Sequence, residues 1–215
     1  MLIIGAKGFA KEVLEIVHQL NELDQLAFYD DVNSDVPEKL FNQFPVLKNI
    51  DEATHYFKTV DNRFTIGIGN PVLRKQLSEK FIAIGGVLTS TISPKATIGS
   101  FDIETGCGSN ILSGAIFSNS TKLGKGCIVY YNSIITHDCN IGDFVEISPN
   151  VTLLGRSEIG SYSQIGANVT ILPKISIGSN VIVAAGAVVT KNVPDNCLIM
   201  GIPAKVIKAL TPLKF

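Results

Sequence analysis

Of the three histidines in this 215-residue chain, one has neighbours suited to proton transfer. His137 lies in Thr136-His137-Asp138-Cys139. Imidazole as a class titrates near ~6.5, so it is the natural proton acceptor at neutral pH. A carboxylate on the next residue can fix its tautomer and support the imidazolium, provided the local turn lets the two side chains meet. The plain alternative is an exposed polar corner. His18 falls among polar neighbours in a helical pattern and His55 in a short polar helix, so both read as surface residues.

A second set of residues suits anion binding. Gly5-Ala6-Lys7-Gly8 follows a short apolar run and precedes the helical pattern Val13, Leu14, Ile16, Val17, Leu20. Strand, glycine turn and helix place bare amides where a phosphate can sit. The GxGxxG fingerprint is incomplete, because Lys7 and Ala10 fill two of its three glycine positions. An ordinary βα turn therefore stays open as a reading. Asp30-Asp31 ends the next apolar run, where a nucleotide-binding domain grips a ribose or base. A capped, solvated turn is the other reading. Asn70 and Arg74 follow a later run, Thr65 to Ile68, and a helix over residues 72–81.

Two kinds of element must position these groups. From Ile111 to Val189, 14 consecutive apolar residues recur every six: Ile111, Phe117, Leu123, Val129, Ile135, Ile141, Ile147, Leu153, Ile159, Ile165, Ile171, Ile177, Val183 and Val189. A helix would spread this set around its circumference, and a single strand would be far too long. A six-residue repeat marks a parallel β-helix, with each six forming one flat side and the aliphatic residue pointing inward. Glycine follows it at 124, 142, 160, 166 and 178, where a tight corner is expected. The pattern also marks Ile92 and Ile98, then slips by one residue, which suggests an irregular coil near residues 104–109. About five coils of ~18 residues are expected. Upstream, strands over residues 1–4, 26–29, 44–47 and 65–68 alternate with helices, arguing a small parallel α/β domain. Its ligand would lie beyond the strand C-termini, and its size suits a mononucleotide or nucleotide-sugar better than NAD.

Composition narrows the functional classes. The chain is 46% hydrophobic and 17% charged, with a formal net charge of −1 and no basic block. Neither nucleic acid nor an anionic membrane is indicated as a partner. The first apolar run is too short for a signal peptide, and no stretch approaches the ~18 apolar residues of a membrane span, so a cytoplasmic location is expected. Cys107, Cys127, Cys139 and Cys197 lack metal-ligand spacing and read as buried small hydrophobes. One histidine in the repeat falls short of a three-histidine zinc site, so no metal is expected.

Ile4-Gly5-Ala6-Lys7-Gly8, His137-Asp138-Cys139-x-Ile141-Gly142 and Gly201-x-Pro203-Ala204-Lys205 together resemble one known group. The chain is similar over nearly its whole length to the sialic acid O-acetyltransferase / nucleotide-amino-sugar N-acetyltransferase family. The resemblance implies an α/β Rossmann-like nucleotide-sugar-binding domain over residues 1–86. A left-handed parallel β-helix of the hexapeptide-repeat type would follow over residues 87–215. It implies His137 as general base paired with Asp138, acetyl-CoA as co-substrate in a groove between helices, and a homotrimer. It places acetyl-CoA against Gly155, Ala185, Gly186, Pro203, Ala204 and Lys205. It places the nucleotide-sugar, UDP- or dTDP-linked 4-amino-4,6-dideoxy sugar, against Gly5, Ala6, Lys7, Gly8, Asp30, Asp31, Asn70 and Arg74. The sequence departs from the family at Lys7, at Phe9-Ala10 and at Tyr130, which bears on the identity of the sugar. Two other functions fit the same residues: O-acetylation of a sugar hydroxyl, and a non-catalytic β-helix scaffold.

Overall fold

The protein is described from a computed structural model that covers residues 1–214. The first part is one twisted sheet with helices on both faces. Its elements are β1 (Leu2–Ile4), α1 (Gly8–Gln19), β2 (Ala27–Tyr29), β3 (Lys39–Leu40), β4 (Phe44–Leu47), α2 (Ile50–Thr59), β5 (Arg63–Ile66), α3 (Pro71–Ala83) and β6 (Val87–Leu88). The order across the sheet is β3-β4-β2-β1-β5-β6, parallel except for the β3–β4 pair. β1 is buried on both sides, as a central parallel strand must be. Ile3 points to one cluster with Ala10, Val13 and Val17 of α1, while Leu2 and Ile4 point to the other with Phe57 and Phe81. The strand expected at residues 65–68 lies two residues earlier. Ile68 has left the sheet to line a cavity, so its apolar side chain misled the sequence reading.

From Thr91 the chain winds a left-handed parallel β-helix of two- and three-residue strands. The first face runs from Thr91–Ile92 through Asn110–Ile111, Ile128–Val129, Glu146–Ile147, Gln164–Ile165 and Ile182–Val183 to Cys197–Gly201. The second runs from Thr97–Ile98 to Val188–Val189, and the third from Ile103–Thr105 to Ser176–Ile177. All 14 six-spaced residues are at most 4% exposed, stacked into one continuous apolar column. The faces carry seven, six and five rungs, a little more than the five coils expected.

Two corner expectations are corrected. The glycines after the aliphatic residue are not the tight positions. A Cβ on Gly124 or Gly160 would lie within 2.5 Å of backbone in the next coil, so close approach is what excludes side chains there. The left-handed residue comes two positions later, from Asn132 (φ 57°) and Asp138 (φ 59°) through Asn180 (φ 54°). Asn and Asp tolerate that conformation best. The one-residue slip also lies earlier than residues 104–109. Thr105 pairs with Leu123 and Ile98 with Phe117, so the extra residue is in the corner after Ile98.

The α/β unit is fixed over the first face. Ile16 packs on Leu112 and Ile128. Thr65 Oγ1 donates to Asn110 Oδ1 at 2.8 Å, and Asn110 Nδ2 donates to the Ile66 carbonyl at 2.9 Å. At the top of that face, Cys197–Gly201 turns back antiparallel as Ala204–Ala209.

Candidate active site

His137 and Asp138 occupy the edge between the second and third faces, two and three residues after the inward Ile135. Asp138 takes the left-handed corner conformation, which turns its carboxylate back toward the preceding side chain. His137 Nδ1 lies 2.8 Å from Asp138 Oδ2. With Nδ1–H donating to the carboxylate, Nε2 keeps its lone pair for a substrate proton. The hydrogen bond from His137, together with the charges of His137 and Arg156, holds the Asp138 carboxyl below its ordinary range. Arg156 Nε is 3.4 Å from the same oxygen. Sequence reading missed Arg156, although it stands 18 residues after Asp138, one turn of the repeat higher.

Gly155 lies directly above the histidine. A Cβ there would come within 2.5 Å of imidazole Cε1 and Nε2. Among the described residues its N–H has no hydrogen-bond partner, while the neighbouring Arg156 N–H donates to the His137 carbonyl at 3.0 Å. An imidazole Nε2 and a free amide therefore sit side by side, the pairing that proton removal and oxyanion stabilisation require.

The expected nucleotide residues gather at the switch point between β1 and β5. Gly5 (φ 106°) needs glycine twice over, since a Cβ would lie 2.9 Å from the Gly67 carbonyl oxygen. One cavity of about 210 Å³ is lined by Gly5, Ala6, Lys7, Gly8 and Asp30 with Phe9, Asn33 and residues 67–69. A second, of about 180 Å³, is lined by Gly5, Asp30 and Asp31 with Tyr29, Val32, Asn33, Ile68, Leu73 and Leu77. The helix N-terminus is bare: Lys7 makes no side-chain cap and the first turn of α1 has no acid. Asp30 Oδ1 accepts from the amides of Val32 and Asn33, shaping the rim. Asp31 accepts from the Tyr29 hydroxyl at 2.7 Å. Asn70 caps α3 by accepting from the Leu73 amide at 2.9 Å.

Arg74 is the exception. Expected among the ligand contacts, it is 1% exposed and donates to the carbonyls of Gly69, Gly126, Phe144 and Val145. Burial pushes its guanidinium down to about 10. It fastens the α/β unit to the β-helix.

The residues expected to hold the cofactor divide. Gly155 shares the edge of His137. Ala185 and Gly186 turn the corner between the first and second faces, and Pro203, Ala204 and Lys205 belong to the terminal hairpin on the first face. The α/β unit covers that first face, across the prism from the His137 edge. Three of the four cysteines are buried, whereas Cys107 is exposed, contrary to expectation. Its side chain lies outside the core column that buries the other three.

Residues 1–81 match the PglD N-terminal domain, and residues 138–173 and 156–191 match the bacterial transferase hexapeptide repeats. GDP-perosamine N-acetyltransferase of Escherichia coli O157:H7 is 30% identical over 205 residues, 93% of this chain and 81% of that one. This chain belongs to the nucleotide-amino-sugar N-acetyltransferases. As a member of that family it is an acetyltransferase. The acetyltransferase domain of PglB from Neisseria gonorrhoeae FA1090, also solved with acetyl coenzyme A, superposes with a TM-score of 0.85 at 31% identity, over 96% of this chain and 98% of that one. PerB from Caulobacter crescentus, solved with CoA and GDP-perosamine, gives 0.88 at 27% identity over 96% of each chain. No helix among the described residues is long and apolar enough to cross a membrane.

Proposed function

We propose that this acetyltransferase moves the acetyl group of acetyl-CoA to the amino group of a nucleotide-linked 4-amino-4,6-dideoxy sugar, with His137 as general base. The observation that carries the reading is the His137–Asp138 pair beneath the unpartnered Gly155 N–H. The neutral amine attacks the thioester carbonyl. His137 Nε2 takes the proton as the C–N bond forms, and Asp138 stabilises the resulting imidazolium. The Gly155 N–H faces the developing oxyanion. When the C–S bond breaks, the imidazolium proton goes to the leaving thiolate. General base catalysis contributes ~10²–10⁴ and one oxyanion donor ~10²–10³.

The nucleotide part sits at the switch point, with its base against Tyr29, Val32, Ile68, Leu73 and Leu77 and its diphosphate at the bare amides of residues 6–8. The carrier expected from sequence is UDP or dTDP, while two of the relatives named above, the Escherichia coli enzyme and PerB, are described with GDP-perosamine. Two chains share each site. Within one chain, the nucleotide cavity and the residues 185–186 and 203–205 lie away from the His137 edge, which supports an assembly that brings the edge of one copy to the pocket of the next. The second face beside His137 exposes Ile116 and Ile134, suited to such a contact. A homotrimer closes three such sites.

The test is CoA release from acetyl-CoA with UDP-, dTDP- and GDP-linked 4-amino-4,6-dideoxy sugars and with free sialic acid. Turnover with one amino-sugar is expected. Turnover with sialic acid alone, or with none of the four, overturns the reading.

A further inference from the structure

Phe9 and Tyr130, two of the positions at which the chain departs from its family, touch one another. Their ring centroids lie 5.3 Å apart at 51°. Phe9, in the first turn of α1, lines the cavity at the bare amides of residues 6–8. Tyr130 follows Ile128–Val129 on the first face of the β-helix. Both residues are half-buried. Glu146 pairs with Ile128 one coil on and borders the same cavity. Its Oε2 lies 3.6 Å from where a Cβ on Gly69 would be, and Gly69 lines that cavity. The Tyr130 hydroxyl is raised by burial first and then by the charges of Glu146 and Glu12, which it faces. Gln164 Nε2, at 3.4 Å, is the one hydrogen-bond donor to Glu146 among the described residues. Arg74 comes no nearer than 4.0 Å and is already shared among four carbonyls. A sugar leaving the diphosphate site past Gly69 thus meets a wall of two rings and a carboxylate that no free cation offsets.

We propose that Phe9, Tyr130 and Glu146 read C6 of the acceptor sugar: the rings seat a methyl group there, and Glu146 rejects a carboxylate. This deepens the amino-sugar reading above and rests on it. The C6 methyl is the apolar substituent of a 4,6-dideoxy sugar, next to the ring carbon that neighbours the reacting C4. Aromatic faces take such a group out of water. A hydroxymethyl group would press its hydroxyl against the rings without a partner. A C6 carboxylate would face Glu146 in a half-buried crevice, where like charges are poorly screened. The two rings also help to dock α1 on the β-helix. Docking alone would make the protein more or less stable, but it would not choose between sugars.

The experiment compares three nucleotide-linked 4-amino acceptors that differ only at C6: methyl, hydroxymethyl and carboxylate. The readout is the ratio of kcat/KM values between acceptors, which does not depend on how much of a variant is folded. Wild-type protein is expected to prefer methyl to hydroxymethyl at least about tenfold. It is expected to leave the carboxylate acceptor essentially untouched. Phe9→Ala/Tyr130→Ala should bring the methyl-to-hydroxymethyl ratio close to one, whereas Tyr130→Phe, which keeps the ring, should retain the preference. Glu146→Gln, nearly isosteric, should raise use of the carboxylate acceptor relative to the methyl one at least tenfold, and it carries the test alone where the ring variant does not fold. Ratios that stay at wild-type values in Glu146→Gln and in the ring variant overturn the proposal, and so does wild-type protein that uses all three acceptors equally. Wild-type protein that releases CoA with none of them refutes the amino-sugar reading itself, a result separable from either of these.

Discussion

In the proposed mechanism two residues decide the chemistry, and one of them acts by having no side chain. The imidazole of His137 occupies the space a Cβ at Gly155 would need, so the two positions are coupled. Gly155→Ala is expected to displace the ring by about an ångström, a misplacement that costs on the order of 10²-fold in kcat. The melting temperature should hardly change, because the ring is 61% exposed and makes no core contact. Steady-state kinetics with a thermal melt separates the two effects. Arg74 illustrates the opposite case, a charged side chain whose work is structural. Arg74→Met leaves four carbonyls without their shared donor and is expected to lower stability by on the order of 3 kcal/mol, read from urea unfolding. KM for the nucleotide-sugar in the folded fraction should stay near wild type.

The elements were legible to different degrees. The β-helix could be read because its signal is periodic and redundant: one wrong position in 14 would not have hidden it. The site on its edge was half legible. His137-Asp138 is adjacent in sequence, but Arg156 and Gly155 join it only through the 18-residue coil. Arg74 was misjudged because a cation after a switch-point strand suggests phosphate, while its burial depends on carbonyls 52 to 71 residues away. The docking of α1 on the first face was not legible at all, and it creates an acidic pair. Glu12 of α1 and Glu146 of the first face are both raised by burial; Glu146 also raises Glu12, and Arg74 eases Glu146 only partly. Tyr130 faces both carboxyls, Tyr131 faces Glu12 and Glu15, and Gln164 donates to Glu146. A carboxyl raised by folding stabilises fully below its unfolded value of ~4.3, and that contribution is lost as pH rises through the raised value. Glu146→Gln is therefore expected to match wild type near pH 4 and to melt progressively higher than wild type as pH rises. Melting curves across pH check this, and a constant difference would contradict it.

At the scale of the whole molecule, a rigid prism holds the acetyl-transfer edge on one side and a nucleotide pocket on the other. The proposed sharing of each site between copies rests on that separation. Two inactive variants, His137→Ala and the pocket variant Leu73→Glu, should therefore complement each other when co-assembled. Activity is expected from the mixed oligomer and from neither parent, whereas a site contained within one chain would give none. The most direct measurement of the central claim is the rate of CoA release by wild-type and His137→Ala protein, with saturating acetyl-CoA and the amino-sugar acceptor. A drop of ~10²–10⁴ in kcat with acetyl-CoA affinity and oligomer mass intact is the predicted result. Turnover by His137→Ala at the wild-type rate would contradict the account.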